Sequence, residues 1–269
     1  MRSIALEQGM SVALGTVPMP QALEVPTKGG VARLATVTGG RELWWDGCVN
    51  VRDLGGLGQV RPRAVVRMEA PTRLSEDGWK AAWAYGVRTV VDLRNPDERE
   101  PDLVPRPARL TTVHAPLDPV GTPFYEQWTK IDNLGSPLYY PAMLVEHPEP
   151  VVAAVRTIAN AAPGCVVFHC AGGKDRTGLL AVVLLTLAGV APDEIIADYL
   201  LTYDCMKQRH DELGFRDQLA SVTELLAARN TTIEASLTST ITSLKMPDFL
   251  LGNGLSDTEL AALRARLTI

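Results

Sequence analysis

One short stretch decides how this chain folds: His169-Cys170-Ala171-Gly172-Gly173-Lys174-Asp175-Arg176-Thr177-Gly178. It follows an apolar, β-branched run, Cys165-Val166-Val167-Phe168, and it precedes an apolar run that extends from Leu179 to Ala188 and stops at Gly189. The first run predicts a buried strand, and the second predicts a buried helix that ends at the glycine. The stretch is therefore predicted to be a loop between a strand and a helix.

A tight loop at this place is suited to bind an anion. Only five residues separate Cys170 from Arg176, so the backbone must curl and point successive N–H groups inward. Gly172 and Gly173 are expected to supply the positive φ angles that such a nest needs. The first turn of the following helix adds unpaired N–H groups and the positive end of its dipole, which favour an oxyanion and a cysteine thiolate.

The side chains of this loop predict phosphoryl transfer to sulfur. Cys170, as a thiolate, is the expected nucleophile toward phosphorus, and Arg176 offers paired donors to the phosphoryl oxygens. Thr177 is expected to donate its hydroxyl to the sulfur, Lys174 to add charge at the rim, and His169 to orient the loop by hydrogen bonding to its backbone. The loop residues predicted to bind the phosphate are Ala171, Gly172, Gly173, Lys174 and Thr177.

A purely structural role and nucleotide binding are the alternatives to catalysis for this loop. A buried cysteine is more often a small core residue, and the spacing between Cys170 and Arg176 alone occurs by chance. Here the glycines, the Arg-Thr-Gly ending and the strand-loop-helix setting agree, which favours a catalytic loop. A nucleotide-binding Walker loop is excluded because Lys174 is followed by Asp175 rather than by serine or threonine.

At these residues the sequence resembles the cysteine-dependent phosphatases, and the run Gly173-Lys174-Asp175-Arg176-Thr177-Gly178 is similar to the bacterial tyrosine/serine protein phosphatase family. Three further segments match in the same order: Asn50–Gly56, Thr89–Arg94 followed by Glu98, and Ala197–Leu200. The resemblance spans about residues 41 to 268. It implies an α/β fold in which helices flank a central, mainly parallel sheet, and hydrolysis through a phosphocysteine intermediate without a metal or other cofactor.

Two arginines outside the loop are expected to bind substrate or to brace the pocket. The resemblance places Arg52 close to the active site, and a strand predicted over Ala64–Arg67 would deliver Arg67 to the same region. The family usually follows that arginine with small hydroxyl residues, whereas this chain has Met68 and Glu69. That departure predicts an acidic wall near the pocket.

Three carboxylates are candidates for the acid that protonates the leaving oxygen. Asp92 ends the strand predicted over Val87–Leu93, at the sheet edge where the phosphate loop lies, and it is the first candidate. Asp118, which follows a strand predicted over Leu110–His114, is the second. Asp175, inside the loop, either serves as the acid in place of Asp92 or orients the hydrolytic water, and the sequence leaves this order open.

Composition and charge bound the location and the partners. A net charge of −5 gives no basic field for nucleic acid, and four cysteines show neither zinc spacing nor the density of a disulfide scaffold. Pro18 and Pro20 interrupt the apolar run near the N-terminus, and the helix after Arg176 is too short to cross a bilayer, so no signal peptide or membrane segment is predicted. A thiolate nucleophile favours the cytoplasm. Export by a non-classical route stays open, because the family includes a secreted phosphatase.

The domain organisation is predicted to be simple. Residues 1–30 are rich in glycine and proline and are expected to be loosely ordered, whereas residues 31–269 form a single phosphatase domain. Within that domain, a strand over Val31–Val37 and the run Glu42–Trp45 predict a small β hairpin. The C-terminal third is predicted to be helical, with capping boxes at Thr231-x-x-Glu234 and Ser256-x-x-Glu259.

Three functions from different classes fit these features. The first is a protein phosphatase acting on phosphotyrosine, with phosphoserine, phosphothreonine or phosphoinositides as further substrates. The alternative is a small-molecule phosphatase that uses the same loop on a nucleotide or sugar phosphate. A module that binds phosphate without turnover is less favoured, because Cys170, Arg176 and the acid candidates are all present. The expected partner is therefore a phosphorylated protein, a phosphoinositide or a small-molecule phosphate.

Overall fold

A five-stranded sheet organises the protein in a computed structural model that describes residues 40–130, 135–243 and 245–268. Its strands are β1 (Arg52–Asp53), β2 (Val65–Met68), β3 (Val87–Asp92), β4 (Thr111–His114) and β5 (Cys165–His169). They lie in the order β1-β2-β5-β3-β4, with β1 antiparallel to β2 and all other neighbours parallel. The predicted α/β class with a mainly parallel sheet is confirmed, and β5 lies at its centre.

Helices cover both faces of this sheet and make up the C-terminal third, as predicted. They are α1 (Glu76–Tyr85), α2 (Pro123–Lys130), α3 (Tyr140–Glu146), α4 (Pro148–Ala159), α5 (Asp175–Leu187), α6 (Pro192–Glu212), α7 (Gln218–Ala227), α8 (Ile233–Ser243), α9 (Asp248–Gly252) and α10 (Asp257–Leu267). Over the described ranges, no helix combines the length and the apolar character needed to cross a membrane.

The central strand is buried along its whole length because both faces are covered. Val166 and Phe168 of β5 pack into the apolar cluster that contains α4 and α5, whereas Val167 packs into a second cluster with Trp79 of α1. Side chains of a strand alternate between faces, so a strand covered on both sides needs apolar residues at every position. This explains the unbroken apolar run before the loop.

The helix ends follow the sequence closely. Ser75 Oγ accepts a hydrogen bond from the Gly78 N–H (3.1 Å) at the start of α1, and Ser256 caps α10 in a capping box with Glu259, as predicted. The prediction of a capping box at Thr231 was wrong. Thr232 Oγ1, one residue later, accepts from the Ala235 N–H (3.1 Å), because α8 begins only after it.

The predicted N-terminal hairpin is described only in part. Residues 1–39, which include the strand predicted over 31–37, lie outside the described residues. The segment from Arg41 to Leu43 runs beside β1 instead: the Leu43 N–H donates to the Val51 carbonyl (3.0 Å), and the Asp53 N–H donates to the Arg41 carbonyl (2.9 Å). One antiparallel bridge joins Glu42 to Arg52.

A buried ion cluster ties α6 to the sheet. Asp198 of α6 accepts from Arg41 Nη1 (2.9 Å) and Arg52 Nε (3.1 Å) with one oxygen and from Arg67 Nη1 (2.7 Å) with the other. Burial alone would raise the pKa of Asp198, but the three guanidinium groups outweigh it and hold that pKa well below its usual range. Three positive groups thus share one carboxylate inside the protein.

Replacing Asp198 by asparagine is expected to lower the free energy of unfolding by about 3–5 kcal/mol, because it leaves buried arginines without their anion. Asp204→Asn, at an exposed position of the same helix, should change it by less than about 0.5 kcal/mol. Urea titrations measure both. Because the pKa of Asp198 is lowered in the folded protein, Asp198 stabilises the fold fully at a pH above the ordinary pKa of an aspartate. This stabilisation is lost as the pH falls below that ordinary pKa. A difference between wild type and Asp198→Asn that stays constant into acid would contradict this account.

Candidate active site

The loop between β5 and α5 has every carbonyl from Cys170 to Asp175 engaged by a hydrogen-bond donor. The donors are His169 Nδ1 to Cys170 O (3.0 Å), the Ala70 N–H to Ala171 O (2.8 Å), Asn50 Nδ2 to Gly172 O (2.9 Å), Arg67 Nη2 to Gly173 O (2.9 Å), the Gly178 N–H to Lys174 O (2.7 Å) and the Tyr140 hydroxyl to Asp175 O (2.7 Å). No described group accepts from the N–H of Ala171, Gly172, Gly173 or Lys174. These N–H groups are therefore left to bind an anion.

The two glycines of the loop differ in conformation. Gly173 has a φ of 70°, and a Cβ atom added there would lie 2.6 Å from the carbonyl carbon and oxygen of Met68. Gly172 has no positive φ, and a Cβ atom there would meet nothing within 4 Å. The prediction of a positive φ is confirmed for Gly173 and wrong for Gly172. The curl of the loop needs glycine at one position only.

This difference is tested by a matched pair of alanine variants. Gly173→Ala is expected to destabilise the protein by more than about 1 kcal/mol and to abolish oxyanion binding, because the new methyl group meets the β2 backbone. Gly172→Ala should stay within about 0.5 kcal/mol of wild type and retain binding. Thermal unfolding with and without inorganic tungstate measures both properties. Equal damage from the two substitutions would disprove the distinction.

The nucleophile candidate lies at the bottom of the loop. Cys170 is 3% exposed, and it follows the last residue of β5. His169 carries the expected bond from its ring to the loop backbone, and burial lowers the pKa of His169 to about 4 in spite of the nearby Asp92, so its ring is neutral. Thr177 is fully buried, and its hydroxyl has no hydrogen-bond partner among the described residues. The predicted bond from Thr177 to the sulfur is therefore absent from this structure.

Arg176 is held by an acidic residue to which the sequence assigned no role. Its Nη2 atom lies 2.6 Å from Glu98 Oε1, its Nη1 atom contacts Glu98 Oε2, and Nη1 also lies 3.3 Å from Asp118 Oδ2. Burial would raise the pKa of Glu98, but the hydrogen bonds from Arg176 and from the Asn95 N–H outweigh it and lower that pKa. Glu98 ends the 3-10 turn Pro96–Glu98, a few residues after β3. The only sequence signal was its place in the motif that follows Asp92.

Asp92, the first acid candidate, is in the wrong state to donate a proton. It is fully buried, and Arg94 donates to both of its oxygens, from Nε (2.9 Å) and from Nη2 (2.7 Å). Burial favours the neutral acid, but the Arg94 bonds and the neighbouring His169 outweigh it and hold the pKa of Asp92 at about 2. A general acid must carry its proton near neutral pH. The ranking of Asp92 above the other candidates is therefore corrected.

In the other two acid candidates, Asp118 and Asp175, the pKa is raised rather than lowered. Burial raises the pKa of Asp118 and of Asp175 in spite of the nearby cations. Asp118 Oδ2 accepts from Asn95 Nδ2 (3.1 Å) and lies next to Arg176. Asp175 Oδ1 lies 3.7 Å from Lys174 Nζ and is buried without a hydrogen-bond partner among the described residues. A buried carboxyl oxygen without a hydrogen bond favours the protonated form.

Comparison with known proteins decides the family. A model described as the tyrosine phosphatase family matches residues 43–269. The chain belongs to the tyrosine phosphatase family. A Cupriavidus necator protein that carries a putative tyrosine-protein phosphatase name is 31% identical over 62% of this chain and 64% of its own length. A tyrosine-protein phosphatase of Nostoc commune is 36% identical over 52% and 48%, and the triple specificity protein phosphatase PtpB of Mycobacterium tuberculosis is 34% identical over 32% and 28%. The matched segments thus span less than two thirds of each relative's length.

In this family member the two motif arginines outside the loop lie behind it. Arg52 is 0% exposed and Arg67 is 1% exposed, and both are bound to Asp198. Instead of the expected contact with substrate, Arg67 makes a contact with the loop, because it donates a hydrogen bond to the Gly173 carbonyl. Of the two predicted roles, substrate contact or bracing, the positions of these arginines favour bracing.

Lys174 and Glu69 also differ from expectation. Lys174 Nζ donates to the Gly135 carbonyl (3.1 Å) and lies 5.4 Å from the centre of the Tyr203 ring, so it is turned toward its neighbours rather than free at the rim. Glu69 is 3% exposed and accepts from two backbone N–H groups, those of Val49 (2.7 Å) and Asn50 (2.8 Å). The predicted acidic wall near the pocket is therefore wrong, because this carboxylate anchors the segment before β1.

The part of the chain that the structure describes contains no group of three or more His, Cys, Asp and Glu side chains placed to hold a metal ion. The charged side chains beside Arg176 are instead the carboxyl groups of Glu98 and Asp118, and Asp175 precedes it in sequence. This arrangement can bind a phosphoryl group, supply a thiol and supply a proton.

The Glu98 contact predicts a defined effect on catalysis. Glu98→Gln is expected to lower kcat/KM by about tenfold, because Arg176 loses the charged, two-point contact that orients it. Glu100→Gln, exposed two residues further on, is the matched control and should leave the rate unchanged. Steady-state kinetics on an aryl phosphate measure both. Faster turnover with tighter phosphate inhibition in Glu98→Gln would show instead that Glu98 competes with the substrate for the arginine.

Proposed function

We propose that this protein is a phosphomonoester hydrolase that acts on phosphotyrosine through a phosphocysteine intermediate. One observation carries the proposal: a buried thiol lies at the base of a loop whose carbonyl groups are all bonded elsewhere, next to an arginine. The names of the relatives, which are tyrosine phosphatases, support the same substrate class. Since Cys170 is only 3% exposed, a long aryl side chain reaches it more easily than phosphoserine or phosphothreonine does.

The proposed reaction has two steps. In the first, the Cys170 sulfur forms a bond to phosphorus while the bond from phosphorus to the leaving oxygen breaks, and an acid gives that oxygen its proton. In the second, water attacks phosphorus, the sulfur–phosphorus bond breaks, and the same carboxylate takes the proton from water. The loop N–H groups and Arg176 stabilise the charge on the three equatorial oxygens in both steps.

Asp175 is the acid in this proposal. Its pKa is raised, its buried oxygen has no described hydrogen bond, and it lies next to Arg176 in the first turn of α5. Asp118 is bound to Asn95 and lies against Arg176, which suits it to hold that arginine and to orient the attacking water. Asp92 has a structural role, because its carboxylate is saturated by Arg94.

The wider setting of the proposal follows from the thiolate. Residues 31–269 act as one phosphatase domain, and the enzyme works in a reducing compartment such as the cytoplasm, because oxidation would remove the nucleophile. Its partner is a phosphorylated protein, with phosphoinositides as further substrates. No metal or other cofactor takes part in either step.

The nucleophile is tested by Cys170→Ser, which is expected to abolish hydrolysis of an aryl phosphate and to retain the fold and tungstate binding, because an alcohol is a far weaker nucleophile than a thiolate. Cys205→Ser, which changes another buried cysteine, on α6, is the control and should keep its activity. Release of phosphate and circular dichroism are the measurements. Substantial turnover by Cys170→Ser would disprove the covalent mechanism.

The substrate class is tested by a panel of phosphotyrosine, phosphoserine and phosphothreonine peptides, phosphoinositides, nucleotides and sugar phosphates. The phosphotyrosine peptides are expected to give the highest kcat/KM. A nucleotide or sugar phosphate that exceeds every peptide by tenfold or more would replace the proposal by the metabolic alternative.

The acid is tested by leaving-group dependence. Asp175→Asn is expected to slow hydrolysis of alkyl phosphates by about 10²–10⁴-fold and of an activated aryl phosphate much less, since a good leaving group departs without a proton. Because the pKa of Asp175 is raised, the wild-type kcat/KM should fall as the pH rises through it, and the variant should lack that alkaline limb. Asp118→Asn should slow both substrate types alike. The reverse pattern would assign the proton to Asp118.

A further inference from the structure

We infer that Asn50 is a positioning residue that keeps one peptide group of the catalytic loop turned toward the phosphate. This inference rests on the proposed function of the loop, but it concerns a residue outside the loop that makes no contact with substrate. Asn50 lies in the segment before β1, is 0% exposed, and reaches across 122 residues of sequence to the Gly172 carbonyl.

The orientation of the Asn50 amide group is determined by its neighbours. Its nitrogen donates to the Gly172 carbonyl at 2.9 Å, and its oxygen accepts from Arg52 Nη1 at 2.5 Å. A guanidinium has only donors and a carbonyl only accepts, so the amide cannot be reversed without losing both bonds. The Asn50 N–H is itself held by Glu69 Oε2 (2.8 Å). The donor is thus presented to the loop in one orientation.

The Gly172 carbonyl is the point where such a donor matters most. In a planar trans peptide, the carbonyl and the following N–H point in opposite directions, so holding Gly172 O behind the loop directs the Gly173 N–H to the open side. Rotation of this peptide group changes only angles of two glycines, which resist it least. Glycine sterics alone therefore leave the peptide free to flip, and Asn50 supplies the missing restraint.

The next peptide group is restrained by a related contact. Arg67 Nη2 donates to the Gly173 carbonyl at 2.9 Å, which directs the Lys174 N–H to the open side by the same rule. Arg67 and Arg52 both bind Asp198, so Asn50 and Arg67 are two ends of one buried network. Asn50 is the uncharged end, and it can be changed without removing a charge from the cluster.

Two substitutions of Asn50 test the inference. Asn50→Asp keeps an acceptor for Arg52 and replaces the donor with an oxygen that repels the Gly172 carbonyl; Asn50→Ala removes the donor without adding charge. In both, the affinity for inorganic tungstate, measured by calorimetry, is expected to fall by about tenfold, as for loss of one hydrogen bond to a charged group. The rate of Cys170 alkylation by iodoacetamide at a fixed pH should fall by about tenfold, because the thiolate loses the same donor.

Thr202→Val is the matched control. Its hydroxyl accepts from Arg52 Nη2 (2.9 Å) and Arg67 Nη2 (3.3 Å), so the substitution weakens the same buried network without touching a loop carbonyl. It is expected to lower the free energy of unfolding while leaving the tungstate affinity and the alkylation rate at their wild-type values. Asn50 variants that behave like Thr202→Val in all three measurements would overturn the inference.

The readouts also separate this inference from the proposed function. Tungstate binding and alkylation are measured without turnover on the full chain. A wild-type protein that binds tungstate but hydrolyses no phosphomonoester would disprove the proposed function alone, and the comparison of Asn50 variants with Thr202→Val would still decide the role of Asn50.

Discussion

The carboxylate of Asp198 is the interaction on which the rest of the site depends. It lies on α6, more than twenty residues beyond the loop between β5 and α5 in sequence, yet it holds arginines from the segment before β1, from β1 and from β2. Burying three guanidinium groups costs free energy of desolvation, and their well-aligned contacts with one carboxylate offset that cost. Through Arg67 directly and through Arg52 and Asn50 indirectly, this cluster determines where two loop carbonyls point.

The charged side chains around the loop form two groups. Behind it lie the buried arginines and Asp198, which are joined by ion pairs and have a structural role. A second group consists of Arg176 and the carboxyl groups of Glu98, Asp118 and Asp175, which are partly exposed, and these carboxyl groups differ in pKa. Glu98 is held as a carboxylate by Arg176, whereas burial favours protonation of the other two. The same chemical group thus has a lowered pKa at one position and a raised pKa at two others.

The sequence predicted the elements around the loop well, because their signals are local. The strand before Cys170 and the apolar helix that follows the loop are predicted from apolar runs and a closing glycine, and both are present, although the helix already begins at Asp175. Errors occurred where a role depends on contacts that the pattern does not specify. The place of Asp92 at a strand end predicts an acid, but Arg94 keeps it ionised. The position of Glu69 predicts a side chain that faces the pocket, but it accepts bonds from the segment before β1.

By itself the sequence determined the fold class and the position of the loop between a buried strand and a buried helix, since apolar periodicity acts over short distances. It also marked Asn50, Arg52, Arg67 and Asp198 within motifs, without saying what each of them binds. Only the tertiary structure decided that Asn50, Arg52 and Arg67 form one buried network with Asp198. It also decided that Glu98 orients Arg176. The physical reason is that pKa values and hydrogen-bond partners depend on burial and on contacts between distant segments, which spacing along the chain does not encode.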